Sequence, residues 1–137
     1  MNISVVTAQG RVPVTIIQLD GKMDGQNYQQ LIDKAKELLA GGAHDLLIDL
    51  SKLTFISSAG LVALHSVALL ARGEAAPDTD QGWKAVKDMD HAKKTGTQPH
   101  VKLLNPRPEV SNVLDMVGFT QMFDIFTDQA KAVQSFT

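Results

Sequence analysis

Residues 46–64 read L-L-I-D-L-S-K-L-T-F-I-S-S-A-G-L-V-A-L. The first five form a short apolar run interrupted only by Asp49, the pattern of a central parallel strand covered on both faces. Residues 53–56 lead from that strand to Ser57 and Ser58. A helix is predicted over residues 59–72, with Leu61, Leu64, Val67, Ala68 and Ala71 on one face. A strand therefore delivers two small hydroxyl residues to the start of an apolar helix. Ser57 or Ser58 is placed to cap it, accepting hydrogen bonds from backbone N–H groups that have no partner within the helix. The same helix terminus favours an added phosphate through its dipole and those donors. Phosphorylation there would add roughly −1.5 to −2 charges.

Upstream, residues 3–6 and 12–19 are rich in β-branched side chains. The polar turn at Gln9, Gly10 and Arg11 between them predicts a hairpin. Pro13, lacking an N–H, is expected at a strand start or an edge. Residues 20–25 read as a loop. Residues 27–40 follow as a helix, because Tyr28, Leu31, Ile32, Ala35, Leu38 and Leu39 recur mostly at spacings of three and four. Gly41 and Gly42 end it, since glycine enters the left-handed region without a Cβ clash.

Downstream, composition changes at Gly73. Residues 74–98 are polar and charged and read as a surface insertion, either a mobile loop or a docked helical excursion. Within it Trp83, Val86 and Met89 are spaced by three, a pattern for a short amphipathic helix capped by Asp80. Residues 100–104 form a strand, Asn105 and Pro106 turn the chain, and Pro108 opens a helix to residue 117 that Gly118 ends. A last short strand is expected over residues 123–126. A closing helix follows over residues 128–136, with Asp128 in its first turn and Ala130 and Val133 inward. After the hairpin, helices and strands alternate. The expected fold is α/β, a mixed, mostly parallel sheet of about four to five strands packed by about four helices in one domain.

The bulk composition narrows the function classes. A chain of 137 residues fits one domain, and 44% apolar with 20% charged residues is an ordinary globular mix. A net charge of −2 leaves no electrostatic footprint for nucleic acid or an anionic membrane. Without cysteine there is no disulfide, thiolate nucleophile or Cys-ligated zinc, and a cytoplasmic address is the expectation. No basic-then-apolar leader opens the sequence, and the longest helical apolar stretch, residues 59–71, is too short to span a bilayer. No H-E-x-x-H, G-x-S-x-G or P-loop occurs. His65 follows Ser58 by seven residues, about 10 Å along a helix axis, which argues against a Ser–His nucleophile. A partly buried histidine bonded to backbone is the simpler expectation. Asp20, Asp24 and Asp49 fall near strand ends, where three carboxylates suit Mg²⁺, but each also serves as a turn or cap residue. Neither a catalytic residue, nor a cofactor, nor a metal is expected. The chain reads as a protein-binding domain and not an enzyme.

The run over residues 46–64 resembles the signature of the STAS family, the sulfate-transporter and anti-sigma-factor-antagonist domain. That pattern is an apolar strand ending in Asp, a Phe-Ile-type pair, then Asp-Ser-Ser/Ala-Gly-Leu opening a helix. Asp49, Phe55, Ile56, Ser58, Ala59, Gly60 and Leu61 match it. Q-L-D-G-K-M-D, residues 18–24, resembles the exit of the family's second strand through Leu19, Gly21 and Asp24. Residues 105–119 resemble its later helix and Gly-Phe turn. The resemblance covers the chain except residues 74–98. It implies a stand-alone anti-sigma factor antagonist that binds an anti-sigma factor, often a serine kinase, and so regulates sigma-factor-dependent transcription. Phosphorylation of Ser58 would block binding and a phosphatase would restore it. The partner-binding rim so implied comprises Gly21, Asp24, Asn27, Ser57, Ser58, Ala59, Gly60 and Leu61, with the exposed face of the second helix. Ser57 stands where the family usually has Asp, which makes Ser57 the alternative site of modification. A STAS adaptor that docks a partner without phosphorylation, as a subunit of a transport or signalling assembly, is the competing expectation. A small-molecule sensor or enzyme built on the three aspartates is the third.

Overall fold

The computed structural model describes residues 1–73 and 98–137. The expected insertion lies outside them apart from Gln98, and so does the Trp83, Val86 and Met89 stripe. Gln98 itself is buried, its N–H donating to the Met122 carbonyl at 2.9 Å, so this last residue of the expected insertion belongs to the core.

Five strands form one sheet in sequential order: β1 (Asn2–Gln9), β2 (Pro13–Met23), β3 (Leu46–Ile56), β4 (Val101–Leu104) and β5 (Ile125–Phe126). β1 runs antiparallel to β2 through the predicted hairpin, and β2 to β5 are parallel. Between them come α1 (Tyr28–Ala40), α2 (Ser58–Ala71), α3 (Pro108–Met116) and the four-residue α4 (Phe119–Met122), and α5 (Gln129–Ser135) closes the described chain. The mixed, mostly parallel α/β sheet is the one expected from the alternation of patterns.

The sequential strand order decides where the helices go. Each parallel step moves the same way across the sheet, so crossovers of one hand fall on one face. The larger core accordingly gathers Leu31, Ile32 and Ala35 of α1, Leu61, Leu64 and Val67 of α2, Val110 and Leu114 of α3, and Phe119 and Met122 of α4 against one side of the sheet. The opposite side is left to α5. There Ala132 and Val133, with Phe136 just beyond the helix, cover Val14, Ile16, Leu47 and Leu104. The Lys102 ammonium fastens this helix from beneath, donating to the Ser135 carbonyl and hydroxyl at 3.1 and 2.9 Å and lying 4.7 Å from the Phe136 ring centre.

Several boundaries differ from the sequence expectation. β2 continues through Asp20 to Met23, where a loop was expected, because two register shifts and a positive φ of 113° at Gly21 keep the strand paired with β3. β3 likewise runs to Ile56, stabilised by that longer neighbour. The expected strand over residues 123–126 shrinks to its last two residues, since α4 carries the chain inward and Phe123 packs on Phe119 with ring centres 5.5 Å apart. In α5 the inward residues are Ala132 and Val133, joined by Phe136 just beyond the helix, while Ala130 is exposed, and Asp128 caps the helix by accepting from Lys131 N–H at 3.2 Å. The helix ends at Gly42 and Gly118 take positive φ angles, 109° and 78°, as their composition implies. Among the described residues no helix is long and apolar enough to cross a membrane.

The hairpin tip sits under α5. A Cβ at Gly10 would lie 2.7 Å from the Val133 carbonyl oxygen and 2.8 Å from Val133 Cγ1. Gly10→Ala is expected to destabilise the protein by about 1–3 kcal/mol through this overpacking, read as a lower urea midpoint at unchanged slope.

Candidate functional site

The site forms where two strands end beside one helix start. β2 and β3 leave the sheet together, Met23 paired with Ile56 and Lys22 with Phe55. The Ser57 N–H donates to the Met23 carbonyl at 2.9 Å, extending the ladder one step past the strand. Ser57 is extended (φ −90°, ψ 176°), and its Oγ accepts from the Gly60 N–H at 3.3 Å. Of the two serines that the sequence left open, Ser57 is therefore the cap. Ser58, the first residue of α2, is exposed, and its side chain takes no hydrogen bond from the described residues.

Gly60 is required by packing rather than by its dihedral angles. A Cβ there would stand 2.6 Å from Ile56 Cγ1 and 3.2 and 3.3 Å from Met23 Cγ and Cε. The bare glycine backbone lets the first turn of α2 press onto the two strand ends, which fixes where the hydroxyls point.

The second wall is the turn after β2. Asp24 N–H donates to Asn27 Oδ1 at 2.9 Å, Asn27 Nδ2 donates to the Lys22 carbonyl at 2.8 Å, and Gln26 N–H donates to Asp24 Oδ1 at 2.9 Å. The Asp24 carbonyl accepts from Tyr28 N–H at 3.0 Å, joining the turn to α1. On the sheet side, Thr54 Oγ1 donates to the Gly21 carbonyl at 3.1 Å. Gly21, Asp24, Asn27 and Ser57 are thus tied to the same two strand ends by backbone and short polar side chains, and Ser58 follows Ser57 in the chain.

Three parts of the sequence expectation require correction. Gly60 and Leu61 are buried, so they position the rim without forming its surface. From Gly60 to Ala68 the second helix offers no exposed face, because those residues are all buried. His65 lies within that buried stretch. Ala59 is half-buried at the margin. Sequence inspection also overlooked Phe55 as a surface residue: it is 47% exposed beside Lys22, two residues before Ser57. Alternation places Phe55 on the face opposite Ile56 and alongside buried Leu53, so its exposure at the strand end is a tertiary fact.

Asp49 Oδ1 accepts from Ser51 N–H at 3.0 Å within β3, beside its register shift against β2, and Asp24 Oδ1 accepts from Gln26 N–H in the turn after β2, so both carboxylates are engaged with local backbone. Among the described residues no group of three or more His, Asp or Glu side chains is arranged to hold a metal ion. Asp45 and His100 pair at 2.9 Å, but they stand at the start of β3 and β4. Eleven residues of β3, about 35 Å of extended chain, separate that pair from Ser57.

Comparison with known proteins gives the family and the fold. A family model described as Mlab, STAS domain (STAS_2) matches residues 6–77, more than half of the chain. The chain belongs to the STAS family. Solved structures extend the likeness in fold to 96–98% of the chain. The anti-sigma factor antagonist SpoIIAA in its unphosphorylated form is 18% identical, with 96% of this chain and 93% of that one covered and a TM-score of 0.58. An anti-sigma factor antagonist from Mycobacterium paratuberculosis is 15% identical, with 98% and 93% covered and a TM-score of 0.65. The Bacillus cell fate determinant SpoIIAA in its phosphorylated form is 14% identical, with 96% of each chain covered and a TM-score of 0.54. At these identities the likeness is one of fold. No curated protein matches the chain.

The two serines are expected to separate in stability measurements. Ser57→Ala removes the cap and should cost about 1 kcal/mol, whereas Ser58→Ala should stay within about 0.5 kcal/mol of the parent in chemical denaturation. An equal loss from both would contradict the assignment of Ser57 as the cap.

Proposed function

We propose that this STAS domain is an anti-sigma factor antagonist, a non-enzymatic cytoplasmic protein that binds an anti-sigma factor of the serine-kinase type through the rim of Gly21, Asp24, Asn27, Ser57, Ser58 and Ala59. In this reading the chain is one such domain and residues 74–98 are an insertion in it. Phosphorylation of Ser58 weakens binding, and a phosphatase restores it. One observation carries the reading: an exposed serine, with its hydroxyl uncommitted, opens a helix on a STAS fold beside a rigid rim. A phosphate on Ser58 adds charge there without breaking a hydrogen bond within the described structure. Ser57 supports the switch less well, since its hydroxyl is engaged with Gly60 and its side chain is half-buried.

A second reading is favoured by two observations. Ser57 replaces the family's usual Asp, and the matching family model is the one described as Mlab. Under it the domain is an adaptor that docks its partner constitutively, as a subunit of a transport or signalling assembly.

Incubation with ATP and a candidate kinase, followed by mass-spectrometric mapping, separates the two. The switch predicts one phosphate on Ser58, none on the Ser58→Ala variant, and at least about tenfold weaker partner binding by Ser58→Asp at unchanged circular dichroism. Tight binding with no phosphate, and wild-type affinity in Ser58→Asp, would establish the adaptor instead.

A further inference from the structure

A glycine lowers stability wherever its special freedom goes unused, because it widens the choices open to the unfolded chain. Most of the described glycines use theirs. Gly10 and Gly60 admit no Cβ, and Gly21, Gly42, Gly73 and Gly118 take positive φ angles. Gly25 does neither. Its φ is not positive, and a Cβ built on it would meet no atom within 4 Å. The turn around it suits any L-residue: Asn27 N–H and Tyr28 N–H both reach back across it to the Asp24 carbonyl, at 3.3 and 3.0 Å. Gly41 is comparable, with φ −80° and only ordinary contacts of 3.5 Å for an added Cβ. It stands beside Gly42 at the C-terminal end of α1, however, where a poor helix former helps to end the helix. The fold has no such use for Gly25.

Its place is the rim. Gly25 is exposed in the turn between Asp24 and Asn27. Its peptide groups are bare: among the described residues neither its N–H nor its C=O forms a hydrogen bond. The turn is also fixed on both sides of it. Asp24 N–H is held by Asn27 Oδ1 and Gln26 N–H by Asp24 Oδ1, both at 2.9 Å, and Asn27 Nδ2 ties the turn to the Lys22 carbonyl. A rigid turn cannot move aside for a side chain pressed against it. Once turn geometry and internal packing are removed as reasons, the use of glycine that remains is to let another backbone come close.

We propose that Gly25 is the point of closest approach at the rim, where a main-chain segment of the protein partner lies directly on the turn of Asp24, Gly25 and Gln26 and bonds to its bare peptide. The inference rests on the reading of this rim as the partner-binding surface, and adds to it a residue and a mode of contact. A main-chain segment carries both the acceptor that the Gly25 N–H needs and the donor that its C=O needs, and brings no bulk of its own. The contact selects by shape: a side chain at position 25 holds the partner off the turn. It involves no charge, so it is independent of any charge placed on Ser58.

Titration calorimetry of the full chain against the purified candidate kinase of the phosphorylation assay tests this, together with urea unfolding of the same variants. Gly25→Ala should keep the urea midpoint at or above that of the parent, yet weaken binding at least about tenfold. Gly25→Gln should weaken binding further. These losses should be equal at low and high salt, whereas any loss from Ser58→Asp shrinks as salt rises. Gly41→Ala, the matched substitution about 20 Å away at the other end of the 13-residue α1, should bind as the parent does. Binding alone is read, so the result does not depend on whether Ser58 accepts phosphate. Parent-like binding by both Gly25 variants overturns the close approach, and a weakened Ser58→Asp in the same titrations would leave the rim reading standing. A lower urea midpoint for Gly25→Ala also overturns it, by showing that the fold uses the glycine. A parent that binds no candidate kinase removes the rim reading and this inference with it.

Discussion

The contact of the Gly60 backbone with Met23 and Ile56 is the constraint on which the site depends. Two strands and a helix converge there with no room for a methyl group. If the helix stood further out, Ser57 would lose its bond to Gly60, and the Met23 carbonyl would lose the Ser57 N–H. The rim would then be a frayed strand end. Because the contact is made by backbone on one side and two long apolar side chains on the other, it is dry and short. Positional accuracy at the exposed serine comes from packing beneath it, and polar bonds only complete the outline.

Most of this was legible in the sequence because its signals were local. The alternation of apolar periods gave the order of elements. The small-residue run after Ile56 marked the helix start, and the glycines at 42 and 118 marked helix ends. What sequence missed depended on partners. β2 passes through Asp20 and Gly21, residues of low strand preference, because β3 pairs with it through two register shifts. Burial of α2 all the way round is a tertiary fact: an apolar helix reads the same whether one face or every face is covered. Ala130 was assigned inward from spacing alone, whereas the approach of α5 to the sheet is set by Phe136 and by Lys102 below it.

The replacement of the family's Asp by Ser57 divides two roles that one residue usually combines. As a cap, serine serves as well as aspartate, since either offers an oxygen to the N–H three residues on, and the bond to Gly60 is made. As a charge, serine contributes nothing. The cap is therefore made while Ser58 has no charged residue before it in sequence. A dianionic phosphate at Ser58 would meet no adjacent carboxylate in sequence and would still face the open N–H groups of α2.

It follows that a switch at this rim would act by charge and not by refolding. Ser58 makes no bond that phosphorylation would have to break, and the elements around it are joined to one another by Asn27, Thr54 and Ser57 rather than through it. The beginning and end states would then share one backbone, and the whole effect of the added group would fall on whatever lies against the rim. Phe55 sharpens this argument. An aromatic ring half in water beside Lys22 gives a partner an apolar anchor close to the serine, and such anchors carry most of the energy of small interfaces. Under the proposed switch, an anchor on the strand and a modified hydroxyl on the helix would keep attraction and its veto on two rigid elements, which meet where Gly60 packs on Ile56.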